Sequence, residues 1–169
     1  IHNFLKDKKM KNIFKSEDSA NYFCGYYDKS PFNIDSSKIL ACKPEFINRF
    51  PEKEDVLEIG FFDWKKSSQF IKITETKAWN WQQGCMLQWL GPDFNSKIIY
   101  NDRIKNKFVT VVFDLKNNKK SIFNMSFYSV SSDGDFAICI DNERLCWYRK
   151  GYSYSGILNV DKKKRIAYG

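Results

Sequence analysis

One pattern recurs three times along the chain and constrains its folding more than any other feature. Phe61-Phe62-Asp63-Trp64-Lys65-Lys66, Val112-Phe113-Asp114-Leu115-Lys116-Asn117 and Asn159-Val160-Asp161-Lys162-Lys163-Lys164 each run from an apolar strand end to an Asp, one further residue and a basic turn. A second β-type run follows each, at 70–73, 121–123 and 165–168. Asp suits such a corner because its carboxylate accepts from backbone N–H groups two residues on. A second hairpin signal keeps phase with the first. Ser30-Pro31 precedes Asp35-Ser36-Ser37-Lys38-Ile39-Leu40, and Trp89-Leu90-Gly91-Pro92-Asp93 precedes Lys97-Ile98-Ile99-Tyr100. Val130-Ser131-Ser132-Asp133-Gly134-Asp135-Phe136-Ala137 repeats the arrangement.

Two hairpins per unit of about 50 residues give four antiparallel strands per unit, which is the blade of a β-propeller. The sequence therefore predicts an all-β fold: a β-propeller portion of three four-stranded antiparallel blades at 21–76, 77–124 and 125–169, with residues 1–20 as an N-terminal extension. A β-sandwich competes, but it does not predict two phase-locked hairpin patterns. Helical spacing is confined to the first fifteen residues. Three blades cannot close a ring, since each packs only on its neighbours and the end faces stay open. The expectation is part of a larger propeller, completed by further blades or by a homo-oligomer.

Composition narrows the function classes. With 43% hydrophobic and 28% charged residues among 169, the chain is neither disordered nor fibrous. No apolar run approaches the roughly eighteen residues of a membrane-spanning helix, so no membrane partner is expected. The formal charge is +8, but lysines at turns (Lys65-Lys66, Lys119-Lys120, Lys162-Lys163-Lys164) carry much of it. No contiguous phosphate-tracking face is evident, and nucleic acid is not an expected partner. The five cysteines, Cys24, Cys42, Cys85, Cys139 and Cys146, form no CxxC pair and sit in apolar runs. They read as small buried hydrophobes in a reducing, cytoplasmic compartment. His2 is the single histidine, which excludes a two-His metal site. With no glycine-rich phosphate loop and no GxSxG elbow either, neither metal nor cofactor is expected.

Ser-Pro, or Ser-x-Asp-Gly, before a strand resembles the repeat of TolB-type bacterial propellers. More specifically, Gly25-Tyr26-Tyr27-Asp28-Lys29-Ser30-Pro31, Ala78-Trp79-Asn80-Trp81-Gln82-Gln83-Gly84-Cys85-Met86-Leu87-Gln88-Trp89, Ile99-Tyr100-Asn101-Asp102-Arg103 and Arg149-Lys150-Gly151-Tyr152-Ser153-Tyr154 resemble an uncharacterised TolB-like propeller family. Its members often accompany surface-polysaccharide genes, and some have been labelled glycosyltransferases. The resemblance spans roughly residues 20–155, and a more distant one runs to the oligogalacturonate-lyase type of propeller. It implies a propeller and a polysaccharide setting. The chain departs from both patterns: family members are about twice as long, and lyase-type relatives use several histidines around a metal.

The long, aromatic connections at 43–56, 74–84 and 141–155 fall on one rim, where binding residues concentrate on a rigid scaffold. Trp79, Trp81, Gln82 and Gln83 form the strongest candidate constellation, with indole faces for sugar C–H surfaces and amides for vicinal hydroxyls. The competing reading makes the tryptophans inter-blade core. Gly25 aligns with Gly84, which sets Asp28 opposite Gln88 and puts Tyr26 and Asp28 on one face; a solvated Asp opening a turn competes there. Asp102, Arg103 and Arg144 follow strands at comparable places and suit an anionic or hydroxylated ligand, against an ordinary inter-blade ion pair. A carboxylate pair such as Asp28 with Asp102 suits general acid–base work, but no spacing in the sequence requires the two to be near each other. The expected function is a carbohydrate- or partner-binding propeller, with an oligosaccharide or polysaccharide ligand and no complete catalytic site of its own. The alternative is part of a carbohydrate-active enzyme, of polysaccharide lyase or glycosyl-transfer type, whose remaining catalytic residues lie outside this chain.

Overall fold

A computed structural model describes residues 14–16 and 18–157. Nine strands, β1 (Ile39–Pro44), β2 (Leu57–Phe62), β3 (Phe70–Thr76), β4 (Gln88–Trp89), β5 (Lys97–Ile104), β6 (Lys107–Asp114), β7 (Lys119–Phe123), β8 (Phe127–Val130) and β9 (Ala137–Cys139), build three antiparallel sheets. The second sheet is a four-stranded meander, β4-β5-β6-β7. The first has the order β1-β2-β3, and an isolated bridge from Phe23 to Cys42 adds an irregular inner segment beside β1. The third pairs β8 with β9. The corner expected at Asp161, the strand expected at 165–168 and the helical spacing of residues 1–13 lie outside the described residues.

The turn chemistry follows the repeat. In the second hairpin signal, Asp35 accepts from Ser37 N at 2.9 Å, Asp93 from Asn95 N at 3.0 Å, and Asp133 from Asp135 N at 3.1 Å. Asp114 caps Lys116 N and Asn117 N at the β6–β7 corner. Asp63, between β2 and β3, does otherwise: its backbone carbonyl takes Lys66 N and Ser67 N, and its carboxylate pairs with Lys66 at 3.0 Å.

Strand period two then sorts the cores. Ile98 and Tyr100 of β5, with Val109, Val111 and Phe113 of β6, pack against Leu40, Cys42, Leu57 and Ile59 of the first sheet. Ile99 and Val112 face the other way, onto Met86, Leu90 and Phe127. The inner strands β5 and β6 are thus buried on both sides, although β7 is exposed, which is why Ile98-Ile99-Tyr100-Asn101 is an unbroken buried run. On the far side of the first sheet, Phe14 and Tyr22 cover Phe62, and Lys72 bridges Glu58 and Glu75. At the opposite end, Phe136 and Ile138 are exposed beside β9.

Polar joints lock the sheets together. Asn101, 1% exposed, donates to Phe127 O at 2.9 Å and to the Tyr154 hydroxyl at 2.8 Å, and accepts from Phe127 N at 3.0 Å. The second and third sheets also touch backbone to backbone at Gly91, where a Cβ would collide with the Ser132 carbonyl. Asn101→Ala would leave Phe127 O and the Tyr154 hydroxyl buried without that donor. It is expected to cost about 2–3 kcal/mol in urea unfolding; a loss below about 1 kcal/mol would show that the amide is not the joint.

One helix, α1 (Asn142–Tyr148), stands where the sequence reading has only a long loop. Its signal is local: Asp141 accepts from Glu143 N and Arg144 N, an N-cap that fixes the first turn. The apolar residues Leu145, Cys146 and Trp147 are consecutive, which hides the helical period. A 3₁₀ turn at Lys150–Tyr152 follows.

Candidate functional site

A candidate cleft is built from the loop before β4, from β8 and from α1. A Cβ on Gly84 would lie 3.6 Å from Gly25 Cα and 3.3 Å from the Phe23 ring, so the two glycines let their segments approach closely. That approach sets Tyr26 beside Gln83. The loop that carries Gln83 is shaped by Asn80, whose Oδ1 accepts from Gln82 N at 2.9 Å and Gln83 N at 2.7 Å. The Asn80 amide also donates to Tyr152 O at 2.9 Å, which ties this loop to the 3₁₀ turn. Tyr128 comes from β8, while Asp141, Arg144, Leu145, Tyr148 and Arg149 come from α1 and its flanks. Together with Tyr152 they enclose an open cleft of about 540 Å³.

Its chemistry is phenolic and basic. Gln83 is buried and its Nε2 reaches the Tyr128 hydroxyl at 3.4 Å. The Tyr26 hydroxyl is pushed up to about 12 by its hydrogen bond with Tyr27, then by partial burial and the nearness of Tyr27, Tyr152 and Tyr128. It stays protonated at neutral pH and serves as a donor or an acceptor. Arg149 lies over the Tyr152 ring at 4.6 Å. Asp141 is the only carboxylate on the wall, and its Oδ1 is engaged by the first turn of α1.

The candidates read from the sequence are divided by the structure. Tyr26, Gln83 and Arg144 meet in this cleft. Trp79 does not present a ring face to it. At 1% exposure it packs among Phe23, Phe46 and Trp81, and its Nε1 donates to Asp55 O at 3.0 Å. Its place is the core, as the competing reading has it, with one edge on a second cavity of about 550 Å³ shared with Phe50 and Tyr154. Trp81 is half-buried in the same cluster and donates to Arg49 O at 2.7 Å. Gln82 is exposed.

Asp28 pairs with Lys29 at 3.0 Å and opens on a smaller cleft of about 280 Å³ with Gln88, the neighbour that the Gly25–Gly84 alignment assigns to it. Asp102 is structural: its Oδ1 accepts from the Thr76 hydroxyl, Lys77 N and Arg103 N at 2.9, 3.1 and 2.7 Å. Arg103 donates to the carbonyls of Ser155 and Gly156 and stacks over Phe108 at 4.5 Å. Burial pushes its guanidinium down from the ordinary value. Asp102 and Arg103 therefore join sheets and loop by hydrogen bonds to backbone and hydroxyl groups.

Tyr128, Tyr148, Arg149 and Tyr152 are cleft residues that the sequence reading does not single out as a site. The available signal is the tyrosine density at 148–154. Among the described residues no group of three or more His, Cys, Asp or Glu is placed to hold a metal ion, and no helix is long and apolar enough to cross a membrane. No family model, no curated protein and no solved structure matches the chain.

Proposed function

We propose that the chain is a portion of a β-propeller that binds carbohydrate in the tyrosine-lined cleft. The four-stranded meander, the Asx turns in phase at Asp35, Asp93 and Asp133, and the face-to-face packing of successive sheets support the blade reading. Further blades, or a second copy, complete the ring in this proposal.

One observation carries the ligand class: Tyr26, Tyr128, Tyr148 and Tyr152 converge with the Gln83 amide on one open cleft. Tyrosine offers an apolar ring to the C–H face of a sugar and a hydroxyl to its polar edge. An amide can donate and accept at neighbouring hydroxyls. Binding is favoured over glycoside hydrolysis because, among the described residues, Asp141 is the one carboxylate that lines the cleft.

Tyr148 is 78% exposed, so its truncation should leave the fold intact. For a ligand found on a glycan array, Tyr148→Ala combined with Gln83→Ala is expected to weaken calorimetric binding by about ten-fold or more, roughly 1.4 kcal/mol. Tyr148→Ala alone should not shift the urea midpoint. Absence of binding by the unmutated protein to any glycan would sink the proposal.

A further inference from the structure

We propose that the cleft selects a saccharide carrying an anionic substituent, a carboxylate or a phosphate, and that Arg144 and Arg149 hold that group. The inference rests on the carbohydrate reading above. Its starting point is a division among the described arginines. Arg49 is paired in a fork with Asp55, and Arg103 donates to the carbonyls of Ser155 and Gly156. Both are engaged from within the protein, Arg103 through its terminal Nη groups, and both hold loops in place. Arg144 and Arg149 differ. Neither guanidinium has a hydrogen bond or ion pair among the described residues, and both line the same concave wall.

The wall's own acid offsets only one of the two charges, and among the described residues it forms no ion pair with either arginine. Asp141 turns its Oδ1 to Glu143 N and Arg144 N, as the first turn of α1 requires. The cleft therefore keeps two cations against one engaged anion. Arg149 also lies over the Tyr152 ring, a stacking that steadies a long side chain before any ligand arrives. Arginine presents donors in a planar fork that matches carboxylate and phosphate oxygens bidentately. A neutral sugar would use the tyrosines and Gln83 and leave both forks unmatched. An anionic substituent on that sugar engages all of them.

The test is calorimetry with two matched pairs of probes at about 50 and about 300 mM salt. One pair is an oligomannuronate and its carboxyl-reduced form; the other is maltohexaose phosphate and maltohexaose. The expected result is that an anionic member binds about ten-fold or more tightly than its neutral partner at low salt, with the gap narrowing at high salt. The pair that shows the gap identifies carboxylate or phosphate. Arg144→Gln with Arg149→Gln should abolish the gap. Equal affinity for charged and neutral members, or a gap that survives the double substitution, overturns the inference while the carbohydrate reading stands. If neither member of either pair binds, the carbohydrate reading falls and the inference with it.

Discussion

Trp79→Ala is expected to lower the free energy of unfolding by about 3–5 kcal/mol, the range for deleting a buried aromatic side chain. The indole is 1% exposed and sits in a cluster with Phe23, Phe46 and Trp81, with ring centroids 6.4, 5.7 and 5.1 Å away. Deletion removes its transfer free energy, opens a cavity beside Cys42 and Leu57, and leaves Asp55 O without the Nε1 donor. Trp79→Phe isolates part of this: it keeps most of the ring packing and loses the hydrogen bond, so about half the effect is expected. Trp81→Ala, at a half-buried site, should cost about 1–2 kcal/mol. Urea unfolding followed by circular dichroism measures all three. A Trp79→Ala protein that retains the parent midpoint, with only its ligand affinity lost, would return Trp79 to the binding surface and undo its assignment to the core.

The same residue also bears on the cleft, at one remove. Trp79 precedes Asn80, whose side chain shapes the Gln82–Gln83 turn and reaches Tyr152 O. A loosened Trp79 releases that turn, so the alanine protein should bind ligand poorly even where it remains folded. A binding defect at Trp79 is therefore uninformative without the unfolding curve beside it. Tyr148, on the exposed rim, is free of that ambiguity.

What could be read in advance follows a physical division. Turn chemistry is local: an Asp at a corner accepts from an N–H group two residues on, as Asp35, Asp93, Asp114 and Asp133 do, Asp93 and Asp114 also from the third, while Asp63 pairs with Lys66 instead. Strand alternation is nearly as local, and it gave the antiparallel order of the second sheet. The alignment of Gly25 with Gly84 set Tyr26 and Asp28 on one face but carried no sign that Tyr26 meets Gln83. The rest depends on contacts distant in sequence. Whether Trp79 faces solvent or Asp55 is decided by how residues 46–55 fold over it, and no pattern within 78–89 contains that information. Tyr128 and Tyr152 meet the cleft only because Asn101 fixes β8 and Asn80 fixes the 3₁₀ turn. Helix α1 was hidden for another reason: seven residues are too few to show a helical period above the consecutive apolar residues at its centre.

Raising the pH above about 10 is expected to unfold the protein, because three buried groups must keep their protons in the folded state. The Cys42 thiol is pushed well up by its hydrogen bond with Cys85 and then by complete burial. Burial pushes the Tyr100 and Tyr154 hydroxyls up, opposed by hydrogen bonds with Thr74 and Asn101 respectively. In the unfolded chain these groups titrate near their ordinary values of 9.0 for cysteine and 10.0 for tyrosine. Above those values the unfolded state binds fewer protons than the folded one, so stability falls as pH rises. Their contribution is fully present below about pH 9 and is lost above it. Each group adds a slope of about 1.4 kcal/mol per pH unit once its unfolded form is ionised. Three together give about 4 kcal/mol per unit, enough to exhaust a typical stability of about 5–15 kcal/mol within a few units. Urea midpoints at about pH 8, 9, 10 and 11, read beside tyrosinate absorbance, measure the slope. Tyr154→Phe removes one of the three protons. It should start less stable at neutral pH, through the lost partner of Asn101, and then decline about one third less steeply. A midpoint that stays level up to about pH 11, or an unchanged slope in Tyr154→Phe, would show that these groups ionise freely and are not buried in the cores described.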